Sequence, residues 1–108
     1  VTEPFVNDTN VFMREPIQVT HNTVPLLRAL CEQRRLWYGY ELAQHTGLRS
    51  ATLGVLLHRL VEIGWAARQQ ESEQAWRARR ARTARRTYFI LTDEGATGAR
   101  RILKDQDR

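Results

Sequence analysis

From Thr23 onward the apolar positions fall into short runs at helical spacing. Leu26, Leu27, Leu30 and Cys31 form one stripe. Thr23 suits a cap for that helix, Pro25 is tolerated in its first turn, and Gln33-Arg34-Arg35 puts positive charge at its C-terminal end. Leu36-Trp37-Tyr38 reads as one small strand. Tyr38 to Thr46 reads as a second, short helix with Leu42 and Ala43 inward and Gly47 as its left-handed stop. Ser50 is placed to cap a third helix running through Ile63, with Gly64 ending it. Around that helix Leu53, Leu56, Leu57, Leu60, Val61 and Gly64 share one face, and Ala51, Thr52, Val55, His58, Arg59 and Glu62 the other. A short helix, a tight glycine turn and a longer helix make a helix-turn-helix pattern.

Period-two patterning takes over next. Trp65 to Gln70 reads as a strand, and Arg86 to Leu91, with Tyr88-Phe89-Ile90-Leu91, as a stronger one. The polar connection between them is long for a hairpin, and such loops are usually functional or mobile. Thr92-Asp93-Glu94 caps a last helix with apolar positions Ala96, Ala99, Ile102 and Leu103. Gly95 and Gly98 weaken it, so it depends on packing against something. The pattern predicts a mainly α chain with a small β-hairpin (α+β), a winged helix-turn-helix. Residues 1–22 read as an N-terminal arm or irregular tail, 23–104 as the winged domain and 105–108 as a C-terminal tail.

Charge sharpens this picture. The chain has 108 residues, enough for one small domain, and a net charge of +5. Arg77, Arg79, Arg80, Arg82, Arg85 and Arg86 crowd the hairpin connection with no acid among them, so the rest of the chain is about neutral. Guanidinium forks grip phosphate in two-pronged fashion and stay charged at biological pH. A positive hairpin beside a helix pair suits a polyanion. With one cysteine, Cys31, no internal disulfide forms, and a reducing compartment is the default. No apolar run approaches the roughly 18 residues of a membrane span, and the first residues lack a basic, then apolar, leader pattern. The expected location is cytoplasmic, with no membrane partner.

The outward face of the third helix is small near its start, which lets its backbone press close to base edges in a major groove. Candidate contacts there are Arg49, Ser50, Thr52, Val55, His58 and Arg59. Ser50 and Thr52 suit phosphate or bases, Val55 a thymine methyl, and Arg49 and Arg59 phosphate or guanine. The six wing arginines supply grip on phosphate, or entry into a narrow minor groove, and not sequence choice. Cys31, His21, His45 and His58 share no helix face at metal spacing, so no metal or other cofactor is expected, and Cys31 reads as a small core residue. Asp93 and Glu94 read as helix-start residues; nothing resembles a nucleophile with its base, and no enzyme is expected. Trp37 and Trp65 read as core or interface. Trp76, in the polar wing, has no assignable place.

The chain carries Met13-Arg14-Glu15-Pro16, Tyr38-Gly39-Tyr40-Glu41-Leu42, Thr52-Leu53, Leu57, Arg59-Leu60, Gly64, Arg86-Thr87-Tyr88 and Leu91-Thr92-Asp93-Glu94-Gly95 in the order helix, helix, helix, strand, strand, helix. On these residues and that order it resembles the PadR-like transcriptional regulators, with MarR-like regulators sharing the architecture. The chain departs from it in having Gly54-Val55 where an aromatic and a proline are usual, and in its longer, more basic wing. The resemblance implies that one hydroxyl of Tyr38 and Tyr40 joins the second helix's N-terminus on a phosphate; the other ring is expected to pack against Leu36 and Trp37. The expected function is a sequence-specific regulator, a repressor, acting as a homodimer on double-stranded DNA. A small-molecule effector stays open and unnamed. Alternatives are a non-specific or architectural DNA or RNA binder held by the arginine loop, and a protein-interaction module.

Overall fold

The computed structural model describes residues 15–80 and 82–108. Met13 and Arg14 of the opening motif, and most of the arm expected over 1–22, lie outside the described residues. The elements run α1 (Thr23–Glu32), β1 (Trp37–Tyr38), α2 (Gly39–Thr46), α3 (Ser50–Glu62), β2 (Ala66–Gln70), α4 (Glu73–Ala78), β3 (Thr87–Leu91) and α5 (Asp93–Gln106). The strands form one antiparallel sheet in the order β1-β3-β2, with Trp37 opposite Phe89 and Ala66 opposite Leu91. The expected hairpin therefore carries a third strand, and the fold is a winged helix-turn-helix.

Helix ends explain much of this order. Gly47 and Gly64 adopt left-handed φ of +75° and +80° and stop α2 and α3. Ser50, expected to cap α3, is instead its first residue. The cap is Arg49, whose extended backbone offers its carbonyl to Leu53 N at 2.9 Å, with no side-chain cap. Thr23 is likewise inside α1 and not its cap. Its buried hydroxyl donates to the Gln18 carbonyl at 2.9 Å, while the Thr20 hydroxyl accepts from Asn22 N at 3.2 Å. The chain bends back before α1, which brings an earlier threonine to the helix start. At the other end α5 runs past residue 104, and Asp107 pairs with Arg28 at 3.0 Å, so the expected tail boundary falls within the helix.

The connection read as a long polar loop holds a helix. Ser72 Oγ accepts from Ala75 N at 3.1 Å and Glu73 sits in the first turn, a cap with a favourable charge that starts α4. Six residues are too few to show a helical period in sequence.

The core gathers Leu26, Leu27 and Leu30 of α1, Leu42 of α2, Leu53, Leu57 and Leu60 of α3, both Trp37 and Trp65, and Phe89 and Leu91 of β3. Each such side chain contributes roughly 1.5–3 kcal/mol on burial. Ile17 joins them, so the segment before α1 is anchored on the domain. Ala96, Ala99, Ile102 and Leu103 of α5 are buried as well, against α1 and the sheet. Cys31 is half-buried at the core's edge.

Candidate nucleic-acid interface

The solvent face of α3 centres on Ala51, Val55, His58 and Glu62, all exposed, with Val55 at 70%. The Glu62 carboxylate lies 3.6 Å from His58 Nε2 and 3.6 Å from an Arg59 nitrogen. Arg59 also donates to the Pro16 carbonyl at 3.4 Å, which turns it toward the segment before α1. Thr52 is half-buried on the same flank of the helix. The expected contact row thus divides: Val55 and His58 face outward, while Thr52 and Arg59 sit to one side.

On the opposite flank Ser50 and Gly54 line a cleft of about 590 Å³, floored by Leu53, Leu57 and Phe89 and bounded by Tyr40, Arg68 and Thr87. This cleft joins the first turns of α3 to the wing strands. Arg68 was not singled out from sequence. It lies outside the dense arginine run, and only its register opposite Phe89, 5.7 Å from that ring, brings it beside α3. Among the described residues neither Arg68 nor Arg49 has a carboxylate partner.

The six wing arginines do not act as one. Glu71, buried beneath the wing, accepts from Arg79 at 2.7 and 2.8 Å and from Arg86 N at 3.0 Å. The Arg79 hydrogen bond, followed by that of Arg86 and both guanidinium charges, overcomes desolvation and holds the Glu71 carboxyl down at about 2. Arg79 is therefore a strut of the wing. Glu73 pairs with both Arg77 and Arg85, the latter at 3.2 Å. The Arg86 guanidinium stacks over the Tyr38 ring at 4.4 Å. Arg80, at a left-handed φ of +53°, and Arg82 are exposed and have no carboxylate partner among the described residues. The run has no acid within it, but two acids immediately before it fold back onto three of its members.

Trp76 gains a place. Its indole N–H donates to the Thr83 carbonyl at 2.7 Å and closes the loop after α4. The two tyrosines divide as well. Tyr40 is 64% exposed at the cleft, and Tyr38 is half-buried 6.2 Å from the Tyr88 ring, so it packs on Tyr88 and Arg86. Glu41 already occupies the α2 N-terminus, accepting from Tyr38 N at 3.0 Å. That bond, and then Arg35, keep its carboxyl below the usual carboxylate range. A phosphate there meets a resident anion. Among the described residues no group of His, Cys, Asp and Glu gathers as for a metal, and no helix is long and apolar enough to cross a membrane.

Solved structures of other proteins share this fold. NadR in complex with 4-hydroxyphenylacetate superposes with a TM-score of 0.64 at 24% identity, over 82% of this chain and 56% of that one. Apo MarR from E. coli gives 0.61 at 20%, over 80% and 56%. The adhesin competence repressor of Streptococcus pyogenes gives 0.62 at 19%, over 94% and 69%. The chain spans little more than half the length of NadR and MarR. No protein-family model and no curated protein matches it. At these identities the likeness shows the fold.

Proposed function

We propose that this protein is a sequence-specific DNA-binding transcriptional regulator, a repressor, that lays α3 in the major groove while its wing holds phosphate or enters the minor groove. One observation carries the reading. Ser50 and Gly54 of α3 and Arg68 and Thr87 of the wing strands line the same cleft, so base-facing and phosphate-facing groups belong to one surface. On this reading Arg49, Ser50, Val55, His58, Arg68, Arg80 and Arg82 contact the DNA, with Tyr40 at the edge of the cleft. Thr52 and Arg59 flank it, and Arg77, Arg85 and Arg86 join when phosphate displaces their present neighbours. The fold shared with MarR and with a protein named as a repressor favours a MarR-like over a PadR-like regulator.

Action as a homodimer is part of the proposal, because one small module offers few base contacts and two-fold pairing doubles them. The apolar face of α5 is consumed by its own core, so pairing uses other surfaces. The test is a gel shift at near-physiological salt, comparing a duplex retained from a random pool with its scrambled counterpart. The retained duplex should bind at least tenfold tighter, roughly the 1–3 kcal/mol expected for each base pair read correctly. Equal affinity for both overturns sequence-specific regulation in favour of a non-specific binder.

A further inference from the structure

We infer that α3 reads thymine through its 5-methyl group, with Val55 as the side chain that touches it. This rests on the DNA-binding reading above and names what that surface recognises.

The centre of the α3 outer face is apolar. Val55 is 70% exposed, and Ala51, one turn earlier, is exposed beside it. The polar side chains around them have neighbours of their own or lie to one side. His58 faces Glu62 at 3.6 Å, Arg59 reaches back to Glu62 and to the Pro16 carbonyl, and Thr52 is half-buried. No long donor stands free at the middle of the row to make a two-pronged contact with guanine or adenine. Val55 borders a groove with Ile17, Thr23 and Leu56 and still keeps most of its surface in solvent.

The surroundings of this apolar centre say what it meets. Arg49 at the helix start and Arg68 across the cleft are unpaired among the described residues, and Arg80 and Arg82 extend the charge into the wing. An apolar side chain on a helix that follows Arg49 and that Arg68 faces across a cleft is complementary to a polyanion whose interior presents an apolar group. In the major groove that group is the thymine methyl. Gly54, next to Val55, lets the helix approach. A β-carbon there would have open space around it, so nothing in the fold calls for a glycine that weakens the helix.

The test uses the full chain and a duplex site retained from a random pool. Each thymine is replaced in turn by deoxyuridine, which removes only the methyl. Replacement at one or two positions should weaken binding about fourfold each, the worth of one buried methyl. Val55→Ser, with its melting temperature checked against the parent, should bind the thymine and deoxyuridine sites equally. Arg80→Gln should weaken both and leave their ratio intact. If every deoxyuridine site binds as the parent while the protein still prefers its site over a scrambled duplex, methyl reading is overturned and the regulator stands. If Val55→Ser keeps the thymine preference, the assignment to Val55 is overturned. A protein that selects no duplex at all overturns the regulator reading and this inference with it.

Discussion

Trp65 fills the space in which Gly98 would carry a side chain: a β-carbon there would stand 2.2 Å from the Trp65 ring. One turn earlier, a β-carbon on Gly95 would lie 1.9 Å from the Trp65 carbonyl oxygen. Two glycines lower the helical propensity of α5 by roughly 1 kcal/mol each, yet they let its backbone seat directly on a tryptophan that is 3% exposed. That close packing offsets the propensity the glycines give up.

Gly98→Ala should therefore destabilise the protein by about 1–3 kcal/mol through overpacking. Gly54→Ala on the open face of α3 should do the reverse, raising stability by up to about 1 kcal/mol. Thermal unfolding of the two variants checks the opposite signs. If close approach at Gly54 serves DNA, the stabilised variant binds its site more weakly.

Glu71 predicts an acid-sensitive wing. Its folded pKa of about 2 lies below the ordinary 4.5, so its contribution is fully present above pH 4.5 and is lost as pH falls from there toward 2. Glu71→Gln removes that contribution at all pH values. Melting temperatures should differ at neutral pH and converge through the acid range, and a constant difference between pH 6 and about 2.5 would contradict the linkage.

Arg80 and Arg82 should dominate the wing's grip on DNA. Replacing both with glutamine is expected to lower the salt slope of binding by about 0.9 for each phosphate left without its arginine, with an unchanged melting temperature. Arg79→Gln should instead lower the melting temperature, since it leaves Glu71 buried without its partner. Salt titrations of binding set beside melting curves separate the two roles.

Glu73 is a resident competitor for phosphate, holding Arg77 and Arg85 at once. Glu73→Gln should strengthen DNA binding about fivefold, in keeping with the modest worth of exposed ion pairs. Weaker binding would show that these pairs hold the wing in its binding shape.

What sequence reasoning reached and missed follows the range of the forces involved. Gly47 and Gly64 were legible as stops because a left-handed residue is a local requirement, answered by one amino acid at one place. The inward row Leu53, Leu57 and Leu60 was legible because helical period is also local. The wing helix escaped because six residues carry no period, and its cap, Ser72, resembles any loop serine.

The amino-acid order by itself determined the winged helix-turn-helix and the concentration of positive charge between two strands, since both follow from neighbours along the chain. Only the tertiary structure decided which of those charges are free. Glu71 claims Arg79 across eight residues and Glu73 claims Arg85 across twelve. Outside that cluster, on α3, the Pro16 carbonyl holds Arg59 across forty-three. Register alone carries Arg68 to the cleft beside Ser50. An ion pair depends on where two side chains meet in space, and spacing in sequence does not encode that until the chain has folded.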